Sequence, residues 1–229
     1  MASPLIDALV QSRIIPITFP DAPSVLPPMS GSELSILDVL IECLKLFDKT
    51  LLREAASMSS KRSSGRVNGR TGVQVPRESA YYTELMRLLV NWLAKQGTFL
   101  VNGQVHLVTE NPGPCDTHQY CDIVVGGLME KPIILELVAS ETPQVVEEHI
   151  TRVSSYKDIL DAGNAWVVHF TCQDDYLKSP TWQAKEQLEE GINVVHIWHG
   201  LEFSGISMSA HWKDSEGKIQ ELDEQALEK

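Results

Sequence analysis

Basic residues are scarce in this chain: 19 Lys and Arg stand against 31 Asp and Glu, a net charge of −12. That balance excludes a global positive field, so contact with a polyanion has to come from a local basic patch or through bound cations. Cysteine is scarce too. Cys43, Cys115, Cys121 and Cys172 show no disulfide-framework spacing, which points to a reducing, intracellular setting, cytoplasmic or nuclear. No stretch approaches the ~20 consecutive apolar residues of a membrane span. The first residues lack a basic start followed by an apolar run and a small-residue cleavage site, so neither a membrane partner nor secretion is expected. Also missing are a Gly-x-Ser-x-Gly elbow, a Walker phosphate loop and a Rossmann glycine fingerprint, which demotes acyl transfer, nucleotide-triphosphate hydrolysis and dinucleotide chemistry. What is present is 43% hydrophobic content over 229 residues, enough for a substantial core.

Pattern along the chain divides it into residues 1–76 and 77–229. Residues 1–31 are proline-rich and read as an extended arm. From Ser32 to about Ser57 the residues Leu34, Leu37, Ile41, Leu44, Phe47 and Leu51 recur at steps of three and four, which predicts one long amphipathic helix, with Ser30 or Ser32 as N-cap. Residues 59–72 are rich in Ser, Gly and Arg and predict a mobile loop. Its Lys61, Arg62, Arg66 and Arg70, with no acid among them, form a basic patch in an acidic protein. A second helix is predicted over about Arg77–Gln96, stopped by Gly97. Strands follow: a hairpin around Asn102-Gly103, two strands carrying Asp122 and Glu136, a helix from about Pro143 to Leu160, apolar strands at Ala165–Thr171 and Gly191–Trp198, and a last hairpin turning at Ser215-Glu216-Gly217. The order implies an α/β domain with a mixed sheet flanked by helices, preceded by a helical extension.

The chemistry concentrates between Cys121 and Tyr156. Side chains alternate across a strand, so Glu136 and Val138 share one face, and a lone Glu on an apolar strand is costly unless it is paired or binds a cation. Asp122, opening CDIVVGG, can lie on the neighbouring strand. Two such carboxylates suit one Mg²⁺ or Mn²⁺, which keeps waters and substrate phosphates as its other ligands. The following helix puts His149, Arg152 and Tyr156 on one face at i, i+3 and i+7, looking across the carboxylate strand. Glu84, on the second helix, is placed to reach the same region. The alternative for Asp122 and Glu136 is a strand-end acid and a buried ion pair, with Arg152 as partner.

At these residues the chain resembles the PD-(D/E)XK nuclease superfamily. Residues 78–171 follow its order of helix, three-strand meander, helix and further strand. Asp122 stands at the motif aspartate, Glu136 at the (D/E) position and Glu84 at the first-helix acid. Arg152-Val-Ser-Ser-Tyr156 resembles the Gln-x-x-x-Tyr signature of the recombination-nuclease branch, with Arg for Gln. The resemblance implies a restriction-endonuclease-like fold and metal-dependent cleavage of DNA, with Asp122 and Glu136 as metal ligands and Glu84 in support. The chain departs from the pattern at Val138, where the superfamily has a lysine. Arg152 is the best-placed substitute, with His149 or Lys157 behind it. His149, Tyr156, Lys61, Arg62, Arg66 and Arg70 then become substrate-binding residues. More loosely, ELVAS followed by EEHITRVSSY, WVVHFT and NVVHIWH is similar to modules that accompany crinkler-type fungal effectors. The alternative the missing lysine raises is a catalytically dead fold that binds nucleic acid or a protein partner.

Two smaller patterns complete the reading. Cys115, His118 and Cys121, with His106 as a fourth group, have a spacing that suits structural zinc, though loop residues leading into the Asp122 strand are the favoured reading. His196 and Trp198 alternate onto one face of their strand, as a half-buried late strand would place them.

Overall fold

The computed structural model describes residues 17, 20–107, 119–127, 129–177 and 179–227. Helices pack on both faces of a seven-stranded mixed sheet. Ahead of the sheet lie a small hairpin, β1 (Met29–Ser30) and β2 (Glu33–Leu34), and the helices α1 (Ile36–Lys45), α2 (Lys49–Ser57) and α3 (Glu78–Trp92). The sheet holds β3 (Phe99–Leu107), β4 (Gln119–Gly127), β5 (Ile133–Ala139), β6 (Asn164–Thr171), β7 (Ile192–Trp198), β8 (Ser207–Lys213) and β9 (Ile219–Ala226), side by side in chain order. The β5–β6 and β6–β7 pairs are parallel and need crossovers, which α4 (Pro143–Ile159) and α5 (Lys185–Glu189) supply; all other neighbours are antiparallel.

The two faces follow from alternation along β5. Leu135 and Leu137 join Val168, Phe170, Val195 and Ile197 against Leu85, Leu88, Leu89 and Trp92 of α3 and Leu40 and Leu44 of α1. Phe47 and Tyr81 stack on Phe170, at ring-centroid distances of 5.9 Å and 4.4 Å. The N-terminal helices therefore share one core with α3 and the sheet. On the other face Val138, Val167 and Val194 meet Val146, Ile150, Val153 and Tyr156 of α4. Each fully buried aliphatic side chain in these layers stabilises by roughly 1.5–3 kcal/mol. Among the described residues no helix is long and apolar enough to cross a membrane.

Three local expectations are corrected. The single helix over 32–57 is two helices, because Asp48 N-caps α2, accepting from the Thr50 and Leu51 amides at 2.8 and 3.1 Å, while Ser35 stands at the N-cap of α1. Asn102-Gly103 is no turn: β3 pairs with β4 in a single register from Phe99↔Gly127 to Leu107↔Gln119, interrupted at Gln104 and Asp122, where Gln104 has φ +51°. Glycine at 103 has another cause, since a Cβ there would collide with the Tyr82 hydroxyl. Residues 59–72 form an anchored ribbon, bridged at Arg62↔Gln74 and Val67↔Arg70. Asp174 takes the Asn68 and Gly69 amides at 3.0 and 2.8 Å, and Gln173 donates to Ser64 Oγ at 2.9 Å. The final hairpin turns as expected, with Gly217 at φ +78° and Asp214 accepting from the Glu216 and Lys218 amides.

Candidate active site

The ladder between β4 and β5 stops at Ile123↔Leu135, one step short of Asp122 and Glu136. Where the next backbone bond would form, Asp122 Oδ2 accepts from the Leu137 amide at 2.8 Å, and Oδ1 accepts from Gln104 Nε2 of β3 at 3.1 Å. The side chain thus replaces a ladder bond and lies beside Glu136. Burial, and after it the Glu136 charge, pushes the Asp122 carboxyl up to about 6, against the pull of Leu137 N–H and Gln104.

Glu136 itself is 3% exposed. Its Oε1 accepts from Arg152 Nη2 at 2.8 Å and lies 3.0 Å from His149 Nδ1, while Oε2 is buried with no hydrogen-bond partner among the described residues. Both cationic or polar partners come from α4, which starts at Thr142 as N-cap with Pro143 in its first turn. From there the helical period carries His149, Arg152 and Tyr156 onto the face toward β5, as the sequence predicts. Arg152 Nη2 also lies 2.6 Å from His149 Nδ1. His149 Nδ1 is thus within hydrogen-bond distance of both groups: it accepts from Arg152 Nη2 when it carries the lone pair and donates to Glu136 Oε1 when it carries the proton. Tyr156 is buried in the α4 layer, and burial followed by the Glu136 charge pushes its hydroxyl up to about 12.

A third carboxylate belongs here, and it is not Glu84. Glu78, at the start of α3, is pushed up to about 7, first by burial and then by Asp122 and Glu136, with Lys61 and Arg152 acting in the opposite sense. Glu84 is buried elsewhere: its Oε1 and Oε2 accept from Arg87 at 3.2 and 2.9 Å, and Oε2 also takes the Asp48 amide at 2.8 Å. It ties α3 to the start of α2 and is a structural ion pair, so its expected place beside Asp122 is corrected. The Glu84–Arg87 pairing at i, i+3 was visible in the sequence as the signal for this role.

Lys61 bonds Glu141, just past the end of β5, and lies within electrostatic reach of Glu78 and His169. Arg62, Arg66 and Arg70 are exposed along the anchored ribbon. Val138 is fully buried in the α4 layer, in register with His169 of β6. Cys115 and His118 lie outside the described residues. Cys121 is a buried free thiol, raised first by burial and then by Glu136 and Asp122, and His106 is exposed on β3 with its ring 5.0 Å from that of Tyr120.

Among the described residues no group of three His, Cys, Asp or Glu side chains is gathered as a ready metal-ligand set. The oxygen donors on offer are Asp122 and Glu136, with Glu78 behind them. Comparison with known proteins gives no match: no family model, no curated protein and no solved structure corresponds to this chain. Asp122 and Glu78, whose proton affinity is raised first by burial and then by neighbouring carboxylate charge, lower their energy by gaining a proton or a nearby cation. The orphaned Glu136 Oε2 is the group whose fit to a hard divalent cation is best.

Proposed function

We propose that this protein is a divergent nuclease-like domain of the PD-(D/E)XK type that hydrolyses phosphodiester bonds of DNA with Mg²⁺ or Mn²⁺. The order of α3, the β3–β5 meander, α4 and β6 supports the restriction-endonuclease-like reading of the fold. The observation that carries the function is the orphaned, buried Oε2 of Glu136 beside an Asp122 carboxyl displaced to about 6.

On this reading Asp122 and Glu136 hold the cation and Glu78 supports them. A divalent cation at such a site supplies Lewis acidity and lowers the pKa of a water molecule. Arg152 and Lys61 bring positive charge to the phosphate, where charge builds up during displacement. Arginine is always protonated and a poor proton acceptor, so Arg152 acts electrostatically. The Arg62, Arg66 and Arg70 side chains on the ribbon offer the backbone of a nucleic acid its phosphate contacts, in a protein whose net charge otherwise repels it.

The buried Val138 and the Arg152–Glu136 pair favour a second reading, a degenerate fold that binds nucleic acid or protein without cleaving. Calorimetry of Mn²⁺ into the wild type and an Asp122→Asn, Glu136→Gln double variant, with plasmid nicking followed on the same samples, separates the two. The nuclease predicts binding and nicking that are both lost in the variant. Absence of both from the wild type leaves the degenerate reading.

A further inference from the structure

We propose that Arg152 is a resident counter-ion of Glu136, a self-inhibitory contact that an incoming phosphodiester draws away so that a divalent cation can take up the carboxylate. The inference rests on the nuclease reading of the same corner and adds the order in which its ligands help each other.

Two Glu–Arg pairs in the protein make the contrast. In the Glu84–Arg87 pair both partners are buried, Nε and Nη2 of the arginine engage separate carboxylate oxygens, and the Asp48 amide adds a third bond. All acceptor oxygens are used, as in a permanent bidentate pair. In the Glu136–Arg152 pair a single nitrogen, Nη2, meets a single oxygen, Oε1, and Oε2 is left without a partner. The burial is one-sided as well: the Glu136 side chain is 4% exposed and that of Arg152 43%. The carboxylate is fixed inside strand β5, whereas the guanidinium is the outer end of a flexible arm on α4. Rotation about its side-chain bonds can move it from Glu136 without moving either element.

The energetics point the same way. A buried carboxylate with no countercharge is strongly unfavourable, so in the absence of ligand Arg152 has to stay on Glu136. A cation on Glu136 removes that need and repels the guanidinium. A phosphate group outside the corner competes with Glu136 for Arg152, and guanidinium binds phosphate well. Each ligand therefore weakens the contact that opposes the other. By linkage, phosphodiester and cation must raise one another's affinity by the same factor. His149 Nδ1 lies 2.6 Å from the same Nη2 and 3.0 Å from Glu136 Oε1, packed against the contact.

Calorimetry of Mn²⁺ into the full chain tests this, with and without a short oligothymidylate, for the wild type, Arg152→Gln and Arg152→Lys. Without oligonucleotide, Arg152→Gln is expected to bind Mn²⁺ roughly ten-fold more tightly than the wild type, and Arg152→Lys to stay near it. The oligonucleotide should tighten Mn²⁺ binding to the wild type and leave Arg152→Gln little changed. Equal or weaker Mn²⁺ binding by Arg152→Gln overturns the proposal. The Asp122→Asn, Glu136→Gln variant keeps the two readings apart. If it abolishes Mn²⁺ binding while Arg152→Gln changes nothing, the counter-ion proposal alone fails; if wild-type binding survives in it, the metal reading fails. If neither the wild type nor Arg152→Gln takes up Mn²⁺, both fall. Circular dichroism checks folding, and Arg152→Met, which keeps the aliphatic arm, replaces the glutamine variant if that one does not fold.

Discussion

The carboxylate corner and the imidazoles at the ends of β6 and β7 are both buried titratable clusters, yet they are held in opposite ways. At the corner Asp122, Glu136 and Glu78 carry like charge, and burial with mutual repulsion raises Asp122 to about 6 and Glu78 to about 7. The imidazoles are kept neutral by burial, and their hydrogen bonds close on the protein itself. His196 Nε2 lies 2.8 Å from the Thr181 carbonyl and must donate, so its Nδ1 accepts from His169 Nδ1–H at 3.0 Å. His199 donates from Nδ1 to the Gly200 carbonyl at 2.7 Å and accepts from the Tyr81 hydroxyl at 2.8 Å. Burial pushes His196 and His199 down to about 4 and His169 well below its ordinary value. The imidazole cluster is a neutral part of the core, in which His169 Nε2 has no hydrogen-bond partner among the described residues. At the carboxylate corner a buried carboxylate oxygen has no partner among the described residues and two carboxyls are raised, and that difference marks it as the candidate site.

The largest effect expected from this contrast is in acid. Between pH 6.5 and about 4 the unfolded chain protonates His196 and His199 while the folded protein does not, so stability falls on acidification through this window. Each histidine contributes a loss on the order of 3 kcal/mol by pH 4. Urea unfolding at about pH 7.5 and about pH 4.5 checks it: the loss should shrink by on the order of 2 kcal/mol in His196→Gln, whose amide keeps the donor to Thr181. An unchanged loss would show that His196 is not the group refusing the proton.

The corner predicts the opposite sign. Asp122 and Glu78 have folded values above their ordinary 3.8 and 4.5, so their unfavourable contribution is complete above about pH 7 and disappears as pH falls toward 4. Asp122→Asn keeps an oxygen for the Leu137 amide and removes the charge. It should stabilise the ligand-free protein at about pH 8 by about 1–2 kcal/mol, with no gain at about pH 4. Mn²⁺ should raise the melting temperature of the wild type and leave this variant unmoved. A variant less stable than wild type at both pH values would mean that the Asp122 carboxylate is a net structural asset.

What the sequence made legible has a physical pattern. β5, β6 and β7 were visible as short apolar runs because both of their faces are buried, and α4 because Thr142-Pro143 starts it cleanly. Asp122, Glu136, His149 and Arg152 converge as expected because consecutive elements carry them, so local periodicity alone sets their faces. Glu78 was not legible in that way. Both it and Glu84 lie on α3, and choosing between them requires knowing where the start of α2 packs. The Asn102-Gly103 signal was overruled by contact with Tyr82, from an element upstream. The long helix over 32–57 failed because Leu51 and Leu52 continue the apolar period across the break, which hides the N-cap at Asp48.

The basic ribbon shows the same limit most clearly, since its composition is that of a mobile loop and its order comes from Asp174, more than a hundred residues along the chain. Two amides on one exposed carboxylate, with Arg66 O accepting from the Asp174 amide at 2.8 Å, make a small latch. Asp174→Ala should cost only about 1 kcal/mol of global stability, because both freed amides reach water. The local effect should be larger than the global one. Cleavage by trypsin after Arg66 and Arg70 should become markedly faster than in the wild type under native conditions, because opening of the ribbon no longer breaks the latch. If the ribbon carries phosphates to the corner, the same variant should weaken oligonucleotide binding while leaving Mn²⁺ affinity in the absence of DNA unchanged. Equal trypsin rates would show that Gln173 and the Arg62↔Gln74 bridge hold the ribbon without Asp174.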